Sequence, residues 1–147
     1  MRPSDTLKRL LHIRELEEEQ SKIALEGALA ELHRVEAALN AVMERAQNGR
    51  RLFGKGVQRC DGIDRLAGLA EIESAERNAV WLEARRHGAE LAVAEQREKF
   101  LGRQLQRRQV ESLVETAERQ IEADRSRREQ SGLDDWHRMR KRKERDS

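Results

Sequence analysis

From Asp61 to about Ser131 the chain runs for roughly seventy residues without a proline, in a composition rich in Glu, Arg, Gln, Ala and Leu. As a single α-helix, at 1.5 Å per residue, that stretch would extend about 100 Å, where an ordinary globular helix has roughly 12 residues. A helix so polar persists in water only if something covers its apolar seam. What covers that seam decides the fold.

The rest of the composition agrees. Charged residues make up 39% of the 147 and aromatics 3%, with one proline and no tyrosine. That balance belongs to long helices and coiled coils and not to a rounded core. Disordered chains share the hydrophilicity but lack sustained apolar periodicity, which this chain has. The length allows one domain, an elongated one whose core is a seam. The single Cys60 has no partner for an internal disulfide, so nothing argues for an oxidising compartment. No apolar run approaches the ~18 residues of a membrane span, and no signal-peptide core opens the chain. The expectation is a soluble cytoplasmic protein.

Taken in order, Pro3 is unsuited to a helix interior, and Ser4 or Asp5 is the expected N-cap. Helix 1 is expected over about 5–47. Leu25, Ala28, Leu32, Val35, Leu39, Val42 and Ala46 recur at steps of three and four, a heptad seam. Leu7, Leu10, Ile13 and Leu16 form a seam on another phase, so the polar run Glu17 to Lys22 reads as a register shift within one helix. Asn48-Gly49 reads as a stop. Gly54, Gly56 and Gly62 then extend a glycine-rich connector over 48–61, which also holds Arg50, Arg51, Phe53, Lys55 and Arg59. It matches neither phosphate-binding glycine motif, and the expectation is a flexible hairpin tip.

Asp61 caps helix 2, expected over about 62–131. Its seam is traced through Val80, Ala84, His87, Leu91, Ala94, Glu98, Leu101 and Leu105, and resumes one phase later at Val110, Leu113 or Val114, Ala117 and Ile121. Trp81 is expected to pack beside it. Ser131-Gly132 is expected to break the helix ahead of a C-terminal segment and basic tail, 132–147. The tail from Arg138 to Ser147 holds six of the 30 basic and two of the 28 acidic residues, which leaves 24 basic against 26 acidic elsewhere.

The fold class that follows is all-α: a long antiparallel two-helix coiled-coil hairpin, its second helix longer than its first. With helix 1 paired back from a tip at 48–61, intramolecular cover runs out near Leu105. Gln106 to Gln130 then project without a partner, and an uncovered stripe at helical spacing is a docking site for another helix or protein.

No catalytic constellation is present. The histidines, at 12, 33, 87 and 137, form no metal-binding pair, and carboxylates on a solvated helix pair have no dry pocket to shift them. The expectation is a protein that is not an enzyme, with no catalytic, cofactor-binding or metal-ligating residues. Three features carry binding instead: the basic tail, Trp136 as an aromatic anchor outside the paired region, and the hairpin tip.

The opening Leu7, Leu10, Leu11, Arg14, Glu15 and Glu17, the Ala-rich heptads, the glycine-rich break, the longer second helix and the ending Gln130, Leu133, Asp134, Asp135, Trp136 together resemble the FliJ/YscO family of type III protein export over essentially the full length. The resemblance, closer to the flagellar branch, implies a stalk similar to the γ subunit of rotary ATPases. Its two chain ends would insert into the hexameric export ATPase and stimulate it, and it would link that ATPase to the cytoplasmic domain of the export gate and to export chaperones, peripheral to the inner membrane. Candidate ring contacts are Leu7, Leu11, Val114, Ile121, Leu133, Trp136 and Arg140. Candidate gate contacts are Val42, Ala46, Arg50, Arg51 and Phe53, in a neighbourhood where the family often has tyrosines.

Two other readings come from the residues alone. One is a coiled-coil binder of nucleic acid or ribosomes acting through the basic tail and tip, with steep salt dependence; the balanced body and lack of interleaved aromatics count against specific nucleic-acid recognition. The other is a self-associating coiled-coil scaffold.

Overall fold

The structure is a computed structural model describing residues 3–146. Two helices account for nearly all of them, α1 over Pro3–Gln58 and α2 over Gly62–Asp146. They pack against each other antiparallel, and the all-α hairpin expected from the heptads is the fold. Its contacts divide into two units: the central residues Glu19–Leu101, and the start of α1 to Glu18 with α2 from Gly102 onward. Among the described residues, no helix is long and apolar enough to cross a membrane.

The turn is far shorter than the glycines suggest. Instead of a connector over 48–61, α1 continues through Asn48, Gly49, Gly54 and Gly56, and among the described residues only Arg59 to Asp61 lie outside the helices. Cys60 takes φ 55°, the left-handed conformation that ends a helix. The Asp61 N–H donates to the Gly56 carbonyl at 2.8 Å and the Cys60 N–H to the Val57 carbonyl at 3.4 Å, the paired bonds of a Schellman end. Asp61 then caps α2 as expected, its Oδ1 accepting from the Ile63 N–H at 3.0 Å and the Asp64 N–H at 3.4 Å.

The glycines serve close approach instead of a loop. A Cβ added to Gly68 would lie 2.6 Å from the Gly49 carbonyl oxygen and 2.6 Å from the Phe53 nitrogen, and one on Gly56 would lie 2.7 Å from the Arg65 nitrogen. Helix propensity alone would end α1 near Gly49, at about 1 kcal/mol per glycine. Packing against α2 overrides it.

In the central unit the α1 side of the seam is Leu25, Ala28, Leu32, Val35, Leu39, Val42 and Ala46, as the heptads predict, and it continues to Gly49, which was expected to be a stop. The α2 side is not the predicted stripe. It runs through Gly68, Ile72, Ala75, Ala79, Leu82, Arg86, Ala89, Val93, Gln96 and Phe100, all buried or half-buried at steps of four and three. Val35, Leu39, Val42, Ala75 and Leu82 form its apolar centre, flanked by Ala38, Ala46 and Ala79. Val80 and Leu91, expected on the seam from their spacing, are instead 74% and 59% exposed. The reason is geometric: close contact at Gly68 and Ala75 sets the phase of α2, and each later layer inherits it. Ion pairs flank the seam, Arg85 to Glu31 at 2.9 Å and Arg45 to Glu71 at 3.3 Å. Trp81, expected beside the seam, is exposed, with the Arg85 guanidinium 5.3 Å from its ring centroid.

In the other unit α1 begins at Pro3, a first-turn position that proline tolerates. Ser4 and Asp5 therefore lie inside the helix and neither is its cap. The seam here is Ser4, Leu7, Leu11, Arg14 and Glu18 against Arg103, Arg107, Val110, Val114 and Ala117, all buried or half-buried. No register shift is needed in α1, and none one phase later in α2. The polar run after Leu16 enters the seam as a charged layer. Arg107 Nε donates to Glu18 at 2.7 Å and its Nη1 to Glu111, Arg103 pairs with Glu17 at 3.0 Å, and Lys8 reaches Glu118 at 3.2 Å.

Pairing thus extends well beyond Leu105, where a tip at 48–61 would have ended it. With the turn at Cys60, α1 is longer and covers α2 to about Ala117. Nor does Ser131-Gly132 break α2, which carries no positive-φ glycine and continues to Asp146.

Candidate functional site

The free surface begins where α1 gives out. From Glu118 to Asp146 every residue of α2 is exposed. A lone helix of this kind is held by its own side chains. Arg127 pairs with Asp124 at 3.0 Å, Gln130 donates to Asp134 at 3.2 Å, and Arg140 lies 3.8 Å from Glu144. Each contributes a few tenths of a kcal/mol, which together offset the roughly 1 kcal/mol cost of Gly132.

Leu133, Trp136 and Arg140 stand three and four residues apart, so they share one side of this helix. Trp136 is 53% exposed. The Arg140 guanidinium stacks over its ring at 5.3 Å from the centroid, and His137 meets it edge-on at 5.3 Å with an interplanar angle of 69°. The result is an indole in contact with Arg140 and His137 and still half exposed. Arg138, Lys141, Arg142, Lys143 and Arg145 continue the positive charge on exposed helical positions, opposite in sign to what an acidic partner surface presents.

The other four predicted ring contacts are divided. Val114, 7% exposed, is a seam residue, and Leu7 and Leu11 are half-buried opposite it. These three hold the pair together and are not surface while it stays closed. Ile121, at the edge of the paired stretch, is exposed. Pairing that stopped near Leu105 would leave all four at an open end; the longer α1 covers three of them.

At the tip, Val42 (8% exposed) and Ala46 are likewise seam residues, several turns from the actual reversal. Arg50 and Arg51 are exposed. Phe53 borders a shallow groove with Gly62, Arg65, Leu66 and Leu69, and Val57 and Ile63 are exposed nearby. Ile63, Leu66 and Leu69 were not picked out from the sequence, yet a signal was there: they fall off the steps that link Gly68, Ile72 and Ala75. Lys55, Arg59 and Arg65 add to the positive charge around them.

Arg107 stands at the centre of the charged layer. Hydrogen bonds from its guanidinium to Glu18 and then Glu111 raise its pKa further above the ordinary value, so this cation is permanent. Among the described residues, no group of three or more His, Cys, Asp or Glu is placed to hold a metal ion. Comparison with known protein families, curated proteins and solved structures gives no match to this chain.

Proposed function

We propose that the chain is a non-enzymatic stalk and coupling component of a type III protein export apparatus of the flagellar kind. In this reading it inserts into the hexameric export ATPase, stimulates it, and links it to the export gate and to chaperones at the inner membrane. The observation that carries the reading is the unpartnered end of α2, a solvated helix with Leu133, Trp136 and Arg140 on one side and a basic run after them. A stalk reading calls for a helix pair and a free end to engage a ring, and the paired helices and the exposed end of α2 support it. The resemblance in layout to the FliJ/YscO family supplies the choice of ring.

Ring contact then falls to Leu133, Trp136 and Arg140, with Ile121 at the root of the free helix, while Leu7, Leu11 and Val114 stiffen it. Gate contact falls to the tip through Arg50, Arg51 and Phe53, joined by Ile63 and Leu66 in place of the seam residues Val42 and Ala46.

The test is stimulation of the purified export ATPase of the same organism by the full chain and by Trp136→Ala. The expected result is a right-shifted or flattened stimulation curve for the variant at unchanged helicity. Unaltered stimulation rules out the Trp136 contact, and no stimulation by the parent chain rules out the stalk reading. Binding to nucleic acid that falls steeply with salt, without any effect on the ATPase, would favour the tail as a nucleic-acid surface.

A further inference from the structure

The stripe that the sequence placed on the seam of α2 is left bare on its outer face. Within the central unit Val80, Ala84, His87, Leu91, Ala94, Glu98 and Leu101 follow one another at steps of four and three, and all are exposed. They lie one or two residues beyond the seam positions Ala79, Leu82, Arg86, Ala89, Val93, Gln96 and Phe100. At 3.5 residues per turn that places the stripe roughly 150° around α2 from α1. A helix docked there meets no obstruction from α1.

We propose that a second copy of this chain covers the stripe, with the two α2 helices antiparallel about an axis between Ala92 and Val93. The stripe is complementary to itself in that orientation. Leu101 falls opposite the partner copy's position 84, an alanine; Leu91 falls opposite position 94, also an alanine; and His87 falls opposite position 98, a glutamate. Each layer from position 84 to position 101 matches a large side chain with a small one, or the stripe's one histidine with its one carboxylate, and Val80 falls opposite position 105, a leucine. The flanks agree, since antiparallel pairs bring like flanking positions together, and here that sets Glu90 opposite an arginine at position 97. A parallel pair has none of this. It would stack alanine on alanine at 84 and 94, leaving voids, and would face glutamate with glutamate at 98, a repulsive contact.

A partner of unrelated sequence would have no reason to select this internal symmetry, which is why a second copy is the occupant. The inference does not rest on the export reading and would hold for a scaffold of any function.

Copies of the full chain carrying Cys60→Ser, to remove the native thiol, with either Ala84→Cys or Leu101→Cys decide it. One set bears a mass tag, and the two are mixed under mild oxidation. A cross-link is expected between the Ala84→Cys and Leu101→Cys copies, and none within either set. Sedimentation equilibrium of the parent should show a concentration-dependent dimer. Leu91→Glu should be monomeric with its helical circular dichroism intact, because the position is exposed in the single chain. His87→Glu should weaken the dimer at least tenfold, and combining it with Glu98→His should restore it. A monomer at every concentration overturns the proposal. So does a self-cross-link of Ala84→Cys, or a dimer that survives Leu91→Glu.

Discussion

Gly49 of α1 and Gly68 of α2 meet backbone to backbone, so closely that a Cβ on Gly68 would sit 2.6 Å from the Gly49 carbonyl oxygen. Gly68→Ala must force the helices apart, at about 1–3 kcal/mol, despite the roughly 1 kcal/mol that alanine gains in helix propensity. Gly27, with no atom within 4 Å of an added Cβ, keeps only the gain. Urea unfolding is expected to show Gly68→Ala destabilised and Gly27→Ala stabilised by about 1 kcal/mol. The same sign for both would mean that the close contact is not there.

Cys60 holds a left-handed conformation at φ 55°, which costs a side chain bearing a Cβ about 1–2 kcal/mol. Cys60→Gly removes that cost and should raise the stability by about 1 kcal/mol, read as a higher thermal midpoint. Cys60→Val, β-branched, should lower it.

The assignment of the seam in α2 is tested by two neighbouring apolar residues. Leu82 is buried against Val35 and Leu39, whereas Val80 points away. Leu82→Ala is expected to cost about 2–3 kcal/mol. Val80→Ala, at dilutions where single chains prevail, should stay within about 0.5 kcal/mol of the parent. Comparable losses at both positions would place α2 on the other phase.

Arg107 ties the charged layer together by pairing with Glu18 of α1 and Glu111 of its own helix. Removing one partner strands the others, so the thermal midpoints of Glu18→Gln, Arg107→Gln and the double variant should be non-additive, the double losing less than the two singles combined. Additive losses would show that the pair does not couple α1 to α2.

The exposed end of α2 makes no contribution to the closed pair. Deleting residues 123–147 should leave the unfolding midpoint of the remainder unchanged while removing the helical signal of the lost residues. A lower midpoint would mean that the end is packed against something.

The sequence by itself determined that the chain is all-helical, that its two long helices pair, and that Asp61 begins the second. It also singled out the right stripe on α1 over Leu25 to Ala46, whereas nearer the start it favoured Leu10, Ile13 and Leu16, of which Ile13 and Leu16 are exposed, over the seam residues Leu11, Arg14 and Glu18. On α2 two stripes compete at the same heptad spacing, and periodicity alone cannot rank them. The tertiary structure chose the one that begins with Gly68, Ala75 and Ala79, where the helices come closest, and left Val80, Leu91 and Leu101 outside. Position 49 was ambiguous in the same way. A glycine reads locally as a stop, and only the presence of Gly68 across from it makes it a contact. That one reassignment moves the turn to Cys60 and lengthens the pairing past Val114. The free end is thereby confined to the helix that carries Trp136. A helix's local pattern states which faces are able to be buried; burial itself is decided by what comes close enough to cover them.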